Sequence, residues 1–255
     1  MIIDRIRIRN LYGQDYDIKL KPDISFLYGE NGCGKTVVLK AINSVLSGDY
    51  SFLHEADVEE VIIDVYKDIN DKSSDCIYIG KEDISNNVFK LKKYVGEGES
   101  SSVFISEEND SVKAEYVRRK MNAAFEDKNN ASKATSIMKI INEILSDRVL
   151  FICGLVNHDL CFSSGDTIFS ISKAGSGMIQ LMYILTKVFL DGGGNSTVYL
   201  IDNPETHLHP DLQSCIVDAI MSYSDNQLII ATHAPEIIGA LRDNMVNVSG
   251  TRHRK

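Results

Sequence analysis

Apolar and polar positions along the chain follow two rhythms, and their order predicts a mixed α/β protein. Residues 1–8 alternate apolar with charged side chains, as a strand with one buried face does, and 18–20 reads as its hairpin partner. A short apolar strand follows at 24–28, then a helical pattern at 37–46 that stops at Ser47-Gly48. The stretch from 49 to about 131 is polar, with strand-like pieces at 61–66, 76–79, 88–91 and 103–105. Within it 111–125 is predicted helical. So is 132–145, because Ile137, Ile140, Ile141, Ile144 and Leu145 fall on one helical face. Strands return at 149–153 and in a hairpin of 159–162 and 167–171 around Ser163-Ser164-Gly165-Asp166. A long helix at 178–190 ends at Gly192-Gly193-Gly194. The runs 197–201 and 227–231 are continuously apolar, as strands covered on both faces of a parallel sheet are, and 211–223 supplies the helix between them.

One segment turns this outline towards chemistry. Gly29-Glu30-Asn31-Gly32-Cys33-Gly34-Lys35-Thr36 meets every requirement of a phosphate-binding P-loop and lies between a predicted strand and a predicted helix. Its glycines let the backbone turn tightly so that N–H groups face phosphate oxygens, and the helix adds its positive end. Lys35 is expected to reach the β and γ phosphates and Thr36 to give a hydroxyl to Mg²⁺. The nucleotide-binding set is therefore Glu30, Asn31, Gly32, Cys33, Gly34, Lys35, Thr36 and Val37, with ATP and Mg²⁺ as the implied cofactors. Further on, Val198 to Ile201 is an apolar strand that ends in the carboxylate of Asp202, as a Walker B motif needs for holding Mg²⁺.

Bulk properties narrow the setting. With 44% hydrophobic and 25% charged residues in 255, the chain can bury a sizeable core as one large domain. The first ten residues hold three arginines and no long apolar run, so no secretory signal or membrane anchor is expected. The apolar stretch 178–190 is broken by Thr186 and Lys187 and is too short to span a bilayer, which leaves a cytoplasmic protein as the expectation. Five scattered cysteines without a CxxC pair argue against a disulfide framework or zinc ribbon. A net charge of −9 keeps the surface as a whole from attracting nucleic acid. Local basic groups (Arg5, Arg7 and Arg9; Lys90, Lys92 and Lys93; Arg118, Arg119 and Lys120; the tail 252–255) leave DNA as a candidate partner, though each reads first as a solvated face.

The segment after Asp202, Asn203-Pro204-Glu205-Thr206-His207-Leu208-His209-Pro210, resembles the one that follows Walker B in ABC-class ATPases of the RecF and OLD (overcoming lysogenization defect) type. Thr232-His233-Ala234-Pro235, after an apolar strand, looks like their switch histidine. Ser172-Lys173-Ala174-Gly175-Ser176-Gly177, just before a long helix, is similar to their divergent signature motif. In that class the signature binds the γ-phosphate held by a partner subunit. The resemblance therefore implies that Ser172, Ala174, Gly175, Ser176 and Gly177 act in trans in a homodimer closed over two nucleotides. It covers about 1–48 and 148–240 and implies an ABC-type P-loop ATPase head over 1–255, with a parallel core sheet, an antiparallel β subdomain and an inserted helical lobe at about 49–147. Too few residues separate Thr36 from Ser172 for the long arms of SMC proteins, so a compact head is expected. A Toprim nuclease, which follows the switch histidine in OLD proteins, has no room after Ile238, and any nuclease or effector is expected on a separate chain. By the same resemblance the function is ATP-dependent control of such an effector, as in prokaryotic anti-phage defence. A RecF-like DNA clamp and a non-catalytic ATP-sensing scaffold are the alternatives.

Two departures bear on catalysis, for which Lys35, Asp202, Asn203, Glu205 and His233 are the candidates. Where the class places a glutamate that deprotonates the attacking water, this chain has Asn203, and an amide does not accept that proton. An engineered trap, a natural slow hydrolyser and a base relocated to Glu205 stand side by side as explanations. No glutamine lies between Thr36 and Ser172, so the Q-loop glutamine is missing, with Glu107, Glu108 or Asn109 as stand-ins. His207 and His209, and Cys153 with His158 and Cys161, read as structural and not as metal ligands.

Overall fold

The computed structural model describes residues 1–66, 74–88, 90, 102–145, 150–156, 159–164, 166–192, 197–222, 226–239 and 241–253. In chain order the strands are β1 (Ile2–Leu11), β2 (Gln14–Lys19), β3 (Ile24–Tyr28), β4 (Glu60–Tyr66), β5 (Ser74–Gly80), β6 (Ser102–Ile105), β7 (Leu150–Val156), β8 (Asp159–Ser164), β9 (Thr167–Ser170), β10 (Val198–Asp202), β11 (Leu228–Ala231), β12 (Met245–Asn247) and β13 (Thr251–Arg252). The helices are α1 (Lys35–Ser47), α2 (Ser51–Glu55), α3 (Lys81–Ser85), α4 (Asp110–Glu126), α5 (Ala131–Ile144), α6 (Ser176–Thr186), α7 (Pro210–Met221) and α8 (Pro235–Ile238).

A five-stranded sheet in the order β12-β3-β11-β10-β6 forms the middle layer, and every neighbouring pair in it is parallel. Its strands read as unbroken apolar runs because both faces are covered. Val198, Leu200, Ile229 and Ala231 face one core, shared with α1 and a second sheet, while Tyr199, Ile201, Leu228 and Ile230 face another, shared with α4, α5, α6 and α7. That second sheet has the order β13-β2-β1-β4-β5 with antiparallel pairs. β1 and β4 alternate buried with solvent-facing residues, as the sequence pattern predicts. The two sheets are stitched by the buried side chain of Gln227, which accepts from Ile3 N–H at 2.9 Å and donates to Ile3 O at 2.8 Å and Lys21 O at 2.7 Å. β7, β8 and β9 make a third, separate antiparallel sheet.

The expected parallel core and antiparallel layer are both present, with several boundaries moved. The partner of β1 runs from Gln14 to Lys19 rather than over 18–20, because the register Arg5↔Lys19 to Leu11↔Gln14 zips the hairpin almost to its turn. Residues 49–147, expected as an inserted lobe, are shared among layers. β4 and β5 extend the antiparallel sheet, β6 extends the parallel one, and α4 and α5 are the helical part. The strand expected at 88–91 and the tail at 254–255 fall wholly or partly outside the described residues. The helix expected over 178–190 is α6 followed by a π-helical turn, Lys187–Asp191.

α4 and α6 lie side by side and run the same way. Tyr116 meets Tyr183 edge-on with centroids 5.3 Å apart, and Asp191 takes both the Tyr116 hydroxyl and Lys120 Nζ, the latter at 2.5 Å. Nearer their N-termini, Ala114 and Ile179 line one cleft. The basic stripe of β1 is neutralised in place: Arg5 pairs with Asp17, Arg7 with Asp64 and Arg9 with Glu60. Among the described residues no helix is long and apolar enough to cross a membrane.

Candidate functional site

Because the middle sheet is parallel, the carboxyl ends of its strands share one edge, and the segments leaving β3, β6, β10 and β11 meet there. β3 leads into the loop at 29–34 and then α1. Gly34, the N-cap of α1, has φ 105, where a side chain is strained, and a Cβ there would collide with the Tyr16 hydroxyl and ring. The loop curls around Lys35, 6% exposed, whose Nζ donates to Gly29 O at 3.0 Å and Glu30 O at 3.3 Å and lies 3.8 Å from Cys33 Sγ. All three acceptors are uncharged, so this buried ammonium keeps its full attraction for an anion.

Thr36, the next residue of α1, donates from Oγ1 to Asp202 Oδ1 at 3.1 Å and so ties the loop to the end of β10. Burial raises the Asp202 carboxyl above the usual carboxylate range. The Thr36 hydrogen bond and Lys40 oppose that rise, and the nearby Glu205 and Glu107 carboxylates add to it. A hydroxyl and a buried carboxylate side by side, with further negative charge around them, fit a hard divalent cation bound together with phosphate oxygens. Among the described residues no group of three His, Cys, Asp or Glu side chains is placed to hold a metal alone.

After Asp202 the chain folds back on itself. Asn203 has φ 48, its carbonyl accepts from Thr206 N–H at 3.1 Å and Thr206 Oγ1 at 2.9 Å, and its own N–H donates to Ala231 O at 2.9 Å. Asparagine is among the few L-residues that tolerate this left-handed conformation. The turn carries Glu205 towards β11. There Oε1 accepts the backbone N–H of His233 at 2.8 Å, while Oε2 is buried without a hydrogen-bond partner. His233 is exposed and lines, with Tyr12, Gln14, Tyr16, Gly32, Gly34, Lys35, Thr36 and Val37, a cavity of about 320 Å³. The structure thus brings Lys35, Thr36, Asp202, Glu205 and His233 to one edge.

None of Ser172, Ala174, Gly175, Ser176 and Gly177 lines the cavity that Lys35 and Thr36 line. Ser172 and Ala174 line a second cleft of about 570 Å³, which shares no residue with the first. Ser172 and Gly175 are exposed, and Gly175, the N-cap of α6, offers no side-chain cap to the helix's first N–H groups. A Cβ on Gly177 would lie 2.7 Å from His207 O, so the start of α6 is pressed against the turn that follows Asp202. His209 caps α7 through Nδ1 and Asp211 N–H, a structural use of one histidine of the HxH pair. Cys33, Cys76 and Cys215 are free thiols; His158 lies outside the described residues.

Sequence reasoning missed Gln14, Tyr16 and Lys40. Tyr16 occupies an ordinary buried position of an alternating strand, and only the hairpin register brings it over the loop. Glu107, proposed from chain order alone, is close enough to Asp202 to raise its carboxyl.

Comparison with known proteins agrees with this architecture. The family model described as an AAA domain matches residues 5–158, and the one described as an AAA ATPase domain matches 105–238. No curated protein matches the chain. Among solved structures it is similar to an SMC head bound to the C-winged helix domain of ScpA, at 14% identity and TM-score 0.62 over 99% of this chain and 98% of that one. It is similar also to the SMC head domain from Thermotoga maritima, at 10% identity and TM-score 0.57 over 100% of both. A third is an SMC head domain with an extended coiled coil bound to the C-terminal domain of ScpA, derived from Pyrococcus furiosus, at 12% identity and TM-score 0.56, covering 98% of this chain and 96% of that one. Family matches running from one end of the core to the other make this chain a member of the AAA ATPase domain family, on a fold that it shares with SMC heads.

Proposed function

We propose that the chain binds ATP with Mg²⁺ in the P-loop cavity, hydrolyses it slowly, and closes with a second copy over the bound nucleotides. The observation that carries the first part is the buried Lys35 ammonium, held by the neutral carbonyls of Gly29 and Glu30, next to the Thr36–Asp202 pair at 3.1 Å. Lys35 and the loop N–H groups hold the β and γ phosphates, and Thr36 and Asp202 hold the metal. When bound, Mg²⁺ offsets the charge that builds on the phosphate oxygens.

Glu205 is the base in this reading. It is the side chain whose one oxygen is fixed by His233 N–H and whose other oxygen is unpaired beside Asp202. Water attacks the γ-phosphorus, its proton passes to Glu205 Oε2, and the bond to the β–γ bridging oxygen breaks, giving ADP and phosphate. Since that oxygen is shut off from solvent, turnover waits on movement of the turn, which fits a slow or partner-stimulated enzyme. Glu107 stands in for the missing glutamine of the Q-loop. Ser172, Ala174, Gly175, Ser176 and Gly177 complete the site of the other copy, a reading supported by their separation from the P-loop cavity and by the uncapped start of α6.

The motif resemblance to OLD-like and RecF-like ATPases extends this to control of a separate effector chain in the cytoplasm, in anti-phage defence; that step rests on the resemblance alone. A non-catalytic ATP-sensing scaffold is the second reading, favoured by Asn203. Mass measurement with ATP, ADP and no nucleotide tests the dimer: ATP is expected to double the mass, and a monomer in all three states refutes closure. ATP-dependent, salt-sensitive binding of duplex DNA is the outcome that selects a clamp instead.

A further inference from the structure

The last strands of the chain close over the back of the P-loop. β12 pairs with β3, Val248 N–H donates to Tyr28 O at 2.9 Å, and Val248 O lies 2.9 Å from where a Cβ on Gly29 would be. β13 then joins the antiparallel sheet against β2. Its end is anchored by His253, whose N–H donates to Gly13 O at 3.0 Å and whose ring lies between Asp15, at 2.7 Å, and Glu59, at 3.5 Å. Between these anchors Gly250 presses on two side chains of β2. A Cβ there would collide with the Gln14 carboxamide oxygen and lie 3.0 Å from Tyr16 Cζ.

Those two side chains reach the P-loop. The Tyr16 hydroxyl donates to Gln14 Oε1 at 2.9 Å and to Cys33 O at 3.2 Å, sharing its proton between them. Tyr16 is 5% exposed, and burial keeps the phenol protonated and able to donate. In a planar trans peptide C=O and N–H point opposite ways, so a hydrogen bond to Cys33 O aims the Gly34 N–H away from Tyr16 and into the loop. That N–H is one of those a phosphate would meet.

We infer that Gln14 and Tyr16 are positioning residues for the P-loop and that the C-terminal strap, residues 248–253, holds them in place through Gly250. The strap clamps the Gln14–Tyr16 pair, and the pair fixes the Cys33–Gly34 peptide. This rests on the P-loop being the nucleotide site. It adds a route by which any grip on residues 248–253 alters nucleotide affinity without touching the nucleotide.

The test is a double-mutant cycle read by affinity for a fluorescent ATP analogue with Mg²⁺, beside thermal melting. Tyr16→Phe keeps the ring and removes the hydroxyl; about fivefold weaker binding at an unchanged melting temperature is expected from loss of one hydrogen bond. Gly250→Ala, which displaces Gln14 and the phenol, is expected to give a similar loss, and the double variant no more than either alone. Should Gly250→Ala fail to fold, Gln14→Ala takes its place in the cycle. Tyr16→Phe binding as tightly as wild type overturns the inference, as do losses that multiply in the double variant. Gly250→Ala or its replacement binding as wild type overturns the strap's part. Wild-type protein that binds no nucleotide overturns the underlying reading as well, whereas Lys35-dependent binding unaffected by these variants overturns the inference alone.

Discussion

Replacing Glu205 by glutamine separates the two jobs that this side chain performs in the proposed mechanism. The amide oxygen keeps its hydrogen bond to His233 N–H, now 2.8 Å from a carboxylate, so the turn stays anchored. A neutral acceptor in place of a charged one weakens that bond by about 1 kcal/mol. Proton acceptance is lost altogether, and loss of a positioned base slows hydrolysis by ~10²–10⁴-fold. Single-turnover hydrolysis of labelled ATP, with protein in excess, is the suitable assay because it sees slow chemistry without product release. Asn203→Glu is the companion variant. At φ 48 glutamate is strained where asparagine is tolerated, which costs about 1 kcal/mol of stability, and the new carboxylate adds to the charge around Asp202. The expected pattern is Glu205→Gln inactive with nucleotide binding retained, and Asn203→Glu no faster than wild type. If Glu205→Gln hydrolyses ATP at the wild-type rate while Asn203→Glu accelerates it, the base is not Glu205, and Asn203 marks a natural or engineered trap at the usual position.

Thr36→Val removes the hydroxyl that reaches Asp202, and is expected to lower ATP affinity about tenfold in Mg²⁺ while making it insensitive to EDTA; calorimetry with and without chelator checks this. Cys33 Sγ lies 3.8 Å from Lys35 Nζ inside the loop, so alkylation of Cys33 should block nucleotide binding and prior ATP should protect the thiol, both readable by mass spectrometry. Gly177→Ala sets a methyl 2.7 Å from His207 O, and a cost of about 1–3 kcal/mol in thermal or urea unfolding is expected. Ser172→Arg should leave binding by the single chain intact and abolish the ATP-induced mass increase, which light scattering reports.

The parts of the fold legible in the sequence are those whose cause is local. β10 and β11 announce themselves because sheets covered on both sides demand apolar residues at every position, and the P-loop because its backbone demands glycine and lysine at fixed places. Asp202 follows from the strand it ends. β12 and β13, three and two residues long, carry no pattern of their own; they exist because β3 and β2 offer open edges. The shared ownership of 49–147 was hidden for a similar reason, since short runs such as Ser102–Ile105 do not say which sheet they join. At the site, alternation along an extended chain is a poor guide past Pro204, and the position of Glu205 comes instead from the left-handed turn at Asn203. Tyr16 looks like any core tyrosine until the hairpin register sets it against Cys33.

The pairing of α4 with α6 has a mechanical meaning. α4 begins just after Glu107, whose charge helps raise the Asp202 carboxyl, and α6 begins at the Ser172–Gly177 segment. Two helices tied at Tyr116, Lys120 and Asp191 and packed at Ala114 and Ile179 do not slide past one another easily. They form a single strut whose two starts stand next to Glu107 and next to the Ser172–Gly177 segment. In the proposed dimer, occupancy of a copy's own P-loop, reaching Glu107 through Asp202, would tilt the surface that the same copy offers to its neighbour, and each subunit would advertise its nucleotide state across the interface.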